Sequence, residues 1–308
     1  MKKITKRQLI EMIENLDIDD EELSQYLEID PNSPTAFDVQ FRAQGGAILN
    51  MTKADKGFLG TLNKRSRRKR QRQYRKKIGK RNFSGIKIVS EGDSWFQYPI
   101  FLKDIIDNLS KKDEMAICSL GYGGDWLSNM FHEMEYLRAI RKEKPQVFLI
   151  SGGGNDLLGD NRLKQLVHPY DSSLDASDYL HEVAQQRLQE LKDLFEGIFL
   201  NLQTEFPKLQ VICHGYDYAI PKKNRWLGKP LREKGIKKRK LQRQIIRELM
   251  DRFNDNLRSL SHRFDQVHYV DLRGTLRSGR SWKDELHPRN AGFRKLAAKI
   301  EKKIKEVV

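Results

Sequence analysis

From residue 83 onward, short apolar runs rich in β-branched residues alternate with stretches whose apolar positions recur every three to four residues. The runs are IKIV (86–89), MAICSL (115–120), QVFLI (146–150), LQVICH (209–214) and QVHYVDL (266–272), each bounded by turn residues. Between them the pattern predicts helices just after Ser94, from Trp126 to Arg141, from Ser177 to Phe206 and from Lys240 to Phe264. In the third of these, Leu180, Leu188, Leu191, Phe195, Ile198 and Leu202 keep the 3.6-residue period. A last helix follows Asn290, read as its cap, and turns Phe293, Leu296, Ile300 and Ile304 inward. Strands alternating with helices require right-handed crossovers, so the expected class is α/β, with a five-stranded parallel sheet covered on both faces. Ligands of such sheets bind outside the carboxyl ends of the strands, which makes the loops after each strand the place to look for chemistry.

Before residue 83 the pattern differs. Leu9, Ile10, Ile13 and Leu16 recur at helical spacing, Asp19 offers a cap, and a second short amphipathic piece runs through Leu23, Tyr26 and Leu27. The stretch DPNSPTAFD, with two prolines, breaks this pattern. Residues 40–82 are rich in Gly, Lys and Arg without clear apolar periodicity and read as a linker or a basic helix. The expected organisation is a helical, basic N-terminal extension over residues 1–82 and a main domain over residues 83–308.

Charge sharpens this division. The 308 residues hold 58 Lys and Arg against 42 Asp and Glu, a formal charge of +16. Residues 8–41 carry acids and no base, whereas 64–81 (KRSRRKRQRQYRKKIGKR) and 222–243 are strongly basic. The acidic and basic segments can neutralise one another. The basic tracts otherwise suit contact with nucleic acid phosphates or an anionic membrane, or serve as solvated faces. Cys118 and Cys213 both lie in strand-like runs and read as reduced core thiols. Glu11 and Glu14 interrupt the apolar stretch that a classical export signal needs, and no run is long enough to span a membrane. A cytoplasmic location is therefore expected, with delivery by a non-classical route left open.

The strand ends carry a constellation. Gly92-Asp93-Ser94 follows the first strand, Gly121 the second and SGGGND, with Asn155 and Asp156, the third; Asp284-Glu285-Leu286-His287-Pro288 lies beyond the fifth. A serine hydroxyl becomes a nucleophile when a base takes its proton, and a histidine serves as that base when a third group fixes its tautomer. Asp284 and His287, three residues apart, supply that pair locally, and Ser94 arrives from afar. The backbone N–H of Ser94, read at a helix start, the N–H of Gly121 and the amide of Asn155 are candidate donors to an oxyanion. In the loop after the fourth strand, Tyr216 and Trp226 stand among cations, and with Trp95 they are candidate substrate contacts.

These four blocks, GDS, an isolated Gly, GGND and DxxHP, resemble in order and spacing the signature of the SGNH, or GDSL-type, hydrolase family over about residues 84–306. The resemblance implies a flavodoxin-like α/β/α sandwich and a metal-independent esterase, lipase, thioesterase or carbohydrate deacylase. It implies Ser94 as nucleophile, His287 as base, Asp284 as its orienter, and Gly121 and Asn155 as oxyanion donors. Trp95 departs from the usual Leu or Ile, and the basic extension has no place in the family pattern. Neither GGGNDL nor GYGGDW completes a dinucleotide fingerprint, and the His-Glu pairs at 132 and 181 lack a second His, so no cofactor or metal is expected. The reading is a serine ester hydrolase acting on an ester such as a phospholipid or an acylated polyanion. The alternative is a silent hydrolase scaffold that binds nucleic acid or anionic membrane through 64–81 and 222–243.

Overall fold

A computed structural model describes residues 3–30, 33, 40–49, 57–81, 83–223 and 225–308. In chain order its N-terminal part contains β1 (Ile4–Thr5), α1 (Lys6–Glu14), α2 (Asp20–Leu23), β2 (Leu27–Ile29), β3 (Phe41–Ala43), β4 (Ile48–Leu49) and α3 (Gly57–Ile78). The first expected short helix is α1; the second is the single turn α2, which stops at Leu23, so that Tyr26 lies in a turn and Leu27 starts β2 instead of continuing the helix. Two short ladders accompany them, β1 beside β4 and β2 antiparallel to β3. The two prolines of the DPNSPTAFD stretch, Pro31 and Pro34, lie outside the described residues.

The main sheet takes β5 (Ile86–Gly92), β6 (Met115–Ser119), β7 (Val147–Ser151), β8 (Gln210–His214) and β9 (Val267–Val270), all parallel, in the order β6-β5-β7-β8-β9. Val89 pairs with Cys118 on one side and Phe148 on the other. Both cysteines are buried, free thiols. The helices are α4 (Ile105–Leu109), α5 (Leu127–Glu133), α6 (Glu135–Glu143), α7 (Gly154–Leu158), α8 (Leu163–Leu166), α9 (Glu182–Glu205), α10 (Gly228–Glu233), α11 (Arg239–Ser261) and α12 (Asn290–Val307). On one face α4 packs with α12, and on the other α5, α9 and α11 pack in series, so the sheet is buried on both sides. The chain leaves β5 first towards β6 and then returns to β7, which puts the switch point at the carboxyl ends of β5 and β7.

Three local readings change. The helix expected from Trp126 to Arg141 is broken at Met134, whose left-handed backbone (φ 50°) ends α5 and starts α6. Asn290 does not cap α12 through its side chain; its Oδ1 accepts from the backbone N–H of Lys103 at 2.9 Å and ties α12 to the start of α4. No helix starts at Ser94: residues 94–96 form a turn, and Pro99, with no N–H to donate, stands before the first regular helix at Ile105.

The basic stretch from 64 is helical, and much of its charge is spent inside the molecule. Along α3, Phe58 and Leu62 enter a small apolar core with Leu9, Ile13, Leu23, Leu27 and Phe41, while Tyr74 enters the main core. The buried Arg65 guanidinium donates to the carbonyls of Ile13 (2.8 Å), Asn15 (2.6 Å) and Ile18, satisfying the exposed end of α1. Lys69 and Arg72 meet the acidic segment at Asp20 (3.1 Å) and Asp17 (2.6 Å). Arg67 and Arg75 pair with Glu135 and Glu143, and Lys77 donates to the carbonyls of Ser110 and Met115. Arg70, buried, pairs with Asp104 at 2.6 Å and Asp107 at 2.9 Å. Among the described residues no helix is long and apolar enough to cross a membrane.

Candidate active site

β5 ends at Gly92, where a Cβ would stand 2.8 Å from the Phe96 ring and 3.0 Å from Ser151, so only glycine lets the chain turn there. Asp93 holds the turn. Its carbonyl accepts from Phe96 (3.0 Å) and Gln97 (2.8 Å). Its carboxylate accepts from the Trp95 N–H (3.0 Å), the Ser151 hydroxyl (3.2 Å) and the Tyr216 hydroxyl (2.5 Å). Burial pushes the Asp93 carboxyl above the ordinary value, and these donors offset part of the rise. The turn presents Ser94 at the mouth of the sheet.

The second half of the site is a compact loop. Asp284 Oδ1 accepts from the backbone N–H groups of Leu286 and His287, each at 2.8 Å, which folds the carboxylate back under the imidazole. His287 Nδ1 then lies 2.9 Å from Asp284 Oδ2, and His287 Nε2 lies 2.9 Å from Ser94 Oγ across 193 positions of chain. Burial pushes the Asp284 carboxyl up, but the imidazole and the two N–H donors outweigh it and leave it below the ordinary carboxylate value. The indole N–H of Trp95 donates to the Leu286 carbonyl at 3.2 Å and joins the serine turn to the histidine loop. Tyr98 meets the imidazole edge-on, with centroids 4.7 Å apart.

The three candidate donors converge on the same end of the sheet. The backbone N–H groups of Ser94 and Gly121 make no hydrogen bond among the described residues. A Cβ on Gly121 would lie 3.2 Å from the Gly92 carbonyl, so its backbone sits tight against the serine turn. Gly153, at φ 92°, swings the chain into α7 and puts Asn155 into a cavity of about 30 Å³ shared with Ser94, Trp95, Tyr216, Leu286 and His287. One hydrogen of the Asn155 amide goes to the Asp125 carbonyl, which orients the group and leaves a second hydrogen; its Oδ1 has no partner among the described residues. Asp156, the last letter of GGND, accepts from Leu127 (2.7 Å) and Ser128 (3.2 Å) and anchors the start of α5.

The expected substrate contacts separate. Trp95 and Tyr216 line the Ser94 cavity, yet both polar atoms are already engaged, the Tyr216 hydroxyl bridging Asp93 and the Gly154 N–H (3.1 Å). Trp226 lines neither cavity at Ser94, because its indole N–H is held by the Ser33 carbonyl at 3.2 Å. A cavity of about 760 Å³ between Ile140, Phe206, Leu209 and Val307 lies at the opposite end of the strands, away from Ser94. Among the described residues no group of three or more His, Cys, Asp or Glu is placed to hold a metal.

Residues absent from the sequence reading brace the site from α3. The Asn63 side chain donates to the Gly123 carbonyl (3.0 Å) and accepts from the Gly123 N–H (2.9 Å) and Gln97 Nε2 (2.9 Å). It thereby fixes the Gly121 loop to the serine turn. Arg70 donates to the Phe96 carbonyl at 2.5 Å from the same helix.

A family model described as the GDSL-like Lipase/Acylhydrolase family matches residues 89–295. A lipase structure from a goat rumen metagenome is 14% identical, with a TM-score of 0.50 over 70% of this chain and 96% of that one. A phospholipase A1 from Streptomyces albidoflavus is 12% identical, with a TM-score of 0.49 over 71% and 100%. At such identity the first likeness is one of fold alone. No curated protein matches the chain.

Proposed function

The chain belongs to the GDSL-like lipase/acylhydrolase family, and from that premise we propose that it cleaves a carboxylic ester through an acyl-enzyme on Ser94. The observation that carries this reading is the unbroken relay from Ser94 Oγ to His287 Nε2 and from His287 Nδ1 to Asp284, at 2.9 Å for each step. Ser94 Oγ attacks the ester carbonyl carbon while its proton passes to His287 Nε2. Negative charge moves to the carbonyl oxygen, within reach of the N–H groups of Ser94 and Gly121 and the free amide hydrogen of Asn155. The carbon–oxygen bond to the alcohol breaks as His287 returns the proton to the leaving oxygen. A water, deprotonated by His287, then attacks the acyl-serine, releasing the acid and restoring the hydroxyl. Asp284 keeps Nδ1 protonated throughout.

Asn155→Ala is the test of the donor arrangement. It is expected to lower kcat on an aryl acetate about 10²- to 10³-fold with little change in KM, because the lost hydrogen bond forms with the transition state. A change below threefold removes Asn155 from the oxyanion site.

The reading extends to the carrier of the ester. Lys237, Lys238, Arg239 and Lys240 are exposed, form no ion pair among the described residues, and stand at the start of α11 after the loop that leaves the carboxyl end of β8. Four unpaired cations there favour an ester borne on an anionic surface or polymer, each worth about 1 kcal/mol at a charged surface. The exposed cations left on α3 include Lys64, Arg68 and Lys76. Reversing residues 237–240 to glutamate is expected to lower turnover of esters on anionic vesicles or an acetylated polyanion, relative to a soluble aryl ester, at least about tenfold at low salt. The difference is expected to shrink towards 1 M salt, where the Debye length is about 3 Å. An unchanged ratio at low salt overturns the role of the patch.

A further inference from the structure

The catalytic-type pair opens onto a second cavity, and three residues of its wall come from the N-terminal part of the chain. Ser94 and His287 line it together with Tyr98 and Phe101, opposite Ile29 of β2, Phe41 of β3 and Leu59 of α3. The wall is apolar and fixed. Phe41 stacks on Phe101 with ring centroids 5.7 Å apart and an interplanar angle of 9°. Ile100, a β-branched residue held at φ 56°, buries its side chain in the N-terminal core, a strained backbone that persists where packing over-determines it. The Asn63 and Arg70 bonds to the Gly123 loop and to Phe96 hold the same seam at its polar edge. The enclosed space is about 20 Å³, room for about one water-sized group. Ser94 is only 9% exposed and His287 1%.

We infer that Ile29, Phe41 and Leu59 are specificity-determining residues: the N-terminal part closes the site around a small apolar arm of the ester, so that short-arm esters such as acetates are selected. This rests on the proposed ester hydrolysis and names its substrate class. A rigid apolar wall discriminates one methylene by about 10- to 200-fold, and shortening the wall gives that discrimination up.

The test uses the full chain and two ester series, aryl esters of lengthening acyl chain and acetates of lengthening alkyl alcohol. Leu59 and Ile29 are only half-buried, so Leu59→Ala and Ile29→Ala perturb folding less than truncating the buried Phe41; thermal melts confirm the folded state. Each is expected to raise the four-carbon to two-carbon ratio of kcat/KM about tenfold or more in one of the two series, and that series identifies the arm the cavity holds. Leu59→Phe is expected to move the three-carbon to two-carbon ratio the opposite way. Ratios within twofold of wild type in all three variants and both series overturn the inference. Labelling of wild-type Ser94 by a fluorophosphonate separates the levels: labelled serine with unmoved ratios removes this inference alone, whereas wild type that is neither labelled nor active removes the hydrolase reading and the inference with it.

Discussion

Replacing Ser94 by alanine is expected to lower kcat for an aryl acetate about 10⁵- to 10⁶-fold and to leave the fold intact. Among the described residues the Ser94 hydroxyl makes one hydrogen bond, to His287 Nε2. The turn that carries it is held instead by Gly92, by the five bonds that Asp93 accepts and by the Trp95 bond to Leu286. Alanine removes the attacking oxygen and keeps the backbone N–H, so the residual rate comes from the remaining donors and from binding, about 10³- to 10⁴-fold above water in a comparable serine site. Steady-state turnover beside a thermal melt checks both halves. A loss under tenfold, with an unchanged melt, removes Ser94 from the chemistry.

Asp284→Asn is expected to cost about 10⁴-fold in kcat, with far less effect on stability than on rate. Asp284 Oδ1 accepts from the N–H groups of Leu286 and His287, and the amide oxygen of asparagine can accept both, so the loop retains its shape. The amide nitrogen then faces His287 Nδ1, where two donors cannot meet. The imidazole adopts the tautomer with Nδ1 unprotonated and Nε2 protonated, and Nε2 can no longer take the serine proton. Turnover across the pH range reads this directly: the rate is expected to stay low at every pH, because the defect is one of tautomer and not of titration. Restoration of wild-type turnover at any pH contradicts the assignment of Asp284 as the orienter.

The parts of this site that were legible in the sequence share a physical character. Ser94, Gly121 and Asn155 each follow an apolar strand, and parallel topology brings strand ends together whatever the details of packing. Asp284 and His287 are legible because their contact is local. The helix break at Met134 was hidden, since a single left-handed residue leaves the apolar period nearly undisturbed. The role of α3 was hidden for a different reason. Its stabilising contacts are polar pins reaching across long stretches of chain, 60 positions from Asn63 to Gly123 and 34 from Arg70 to Asp104, and hydrophobic periodicity carries no trace of such pairs. A run of twelve bases in eighteen positions reads as an exposed tract, although Arg65 and Arg70 are buried. Trp226 shows the converse: an aromatic among cations suggests a ligand, but its one polar atom is occupied by Ser33.

The N-terminal part thereby acquires two connections to the candidate chemistry, a brace on the Gly121 and Ser94 loops through Asn63 and Arg70 and an apolar wall beside Ser94. Both act at the switch point of the sheet, where the smallest displacement of a donor costs most.

The central claim, that the hydroxyl of Ser94 is the group activated by His287, is tested most directly by fluorophosphonate treatment followed by peptide mass mapping. The account predicts one adduct per chain, on the peptide containing Ser94, absent in Ser94→Ala and formed far more slowly in Asp284→Asn. An adduct on another residue, or full ester turnover by a chain whose Ser94 remains unmodified after saturating treatment, contradicts it.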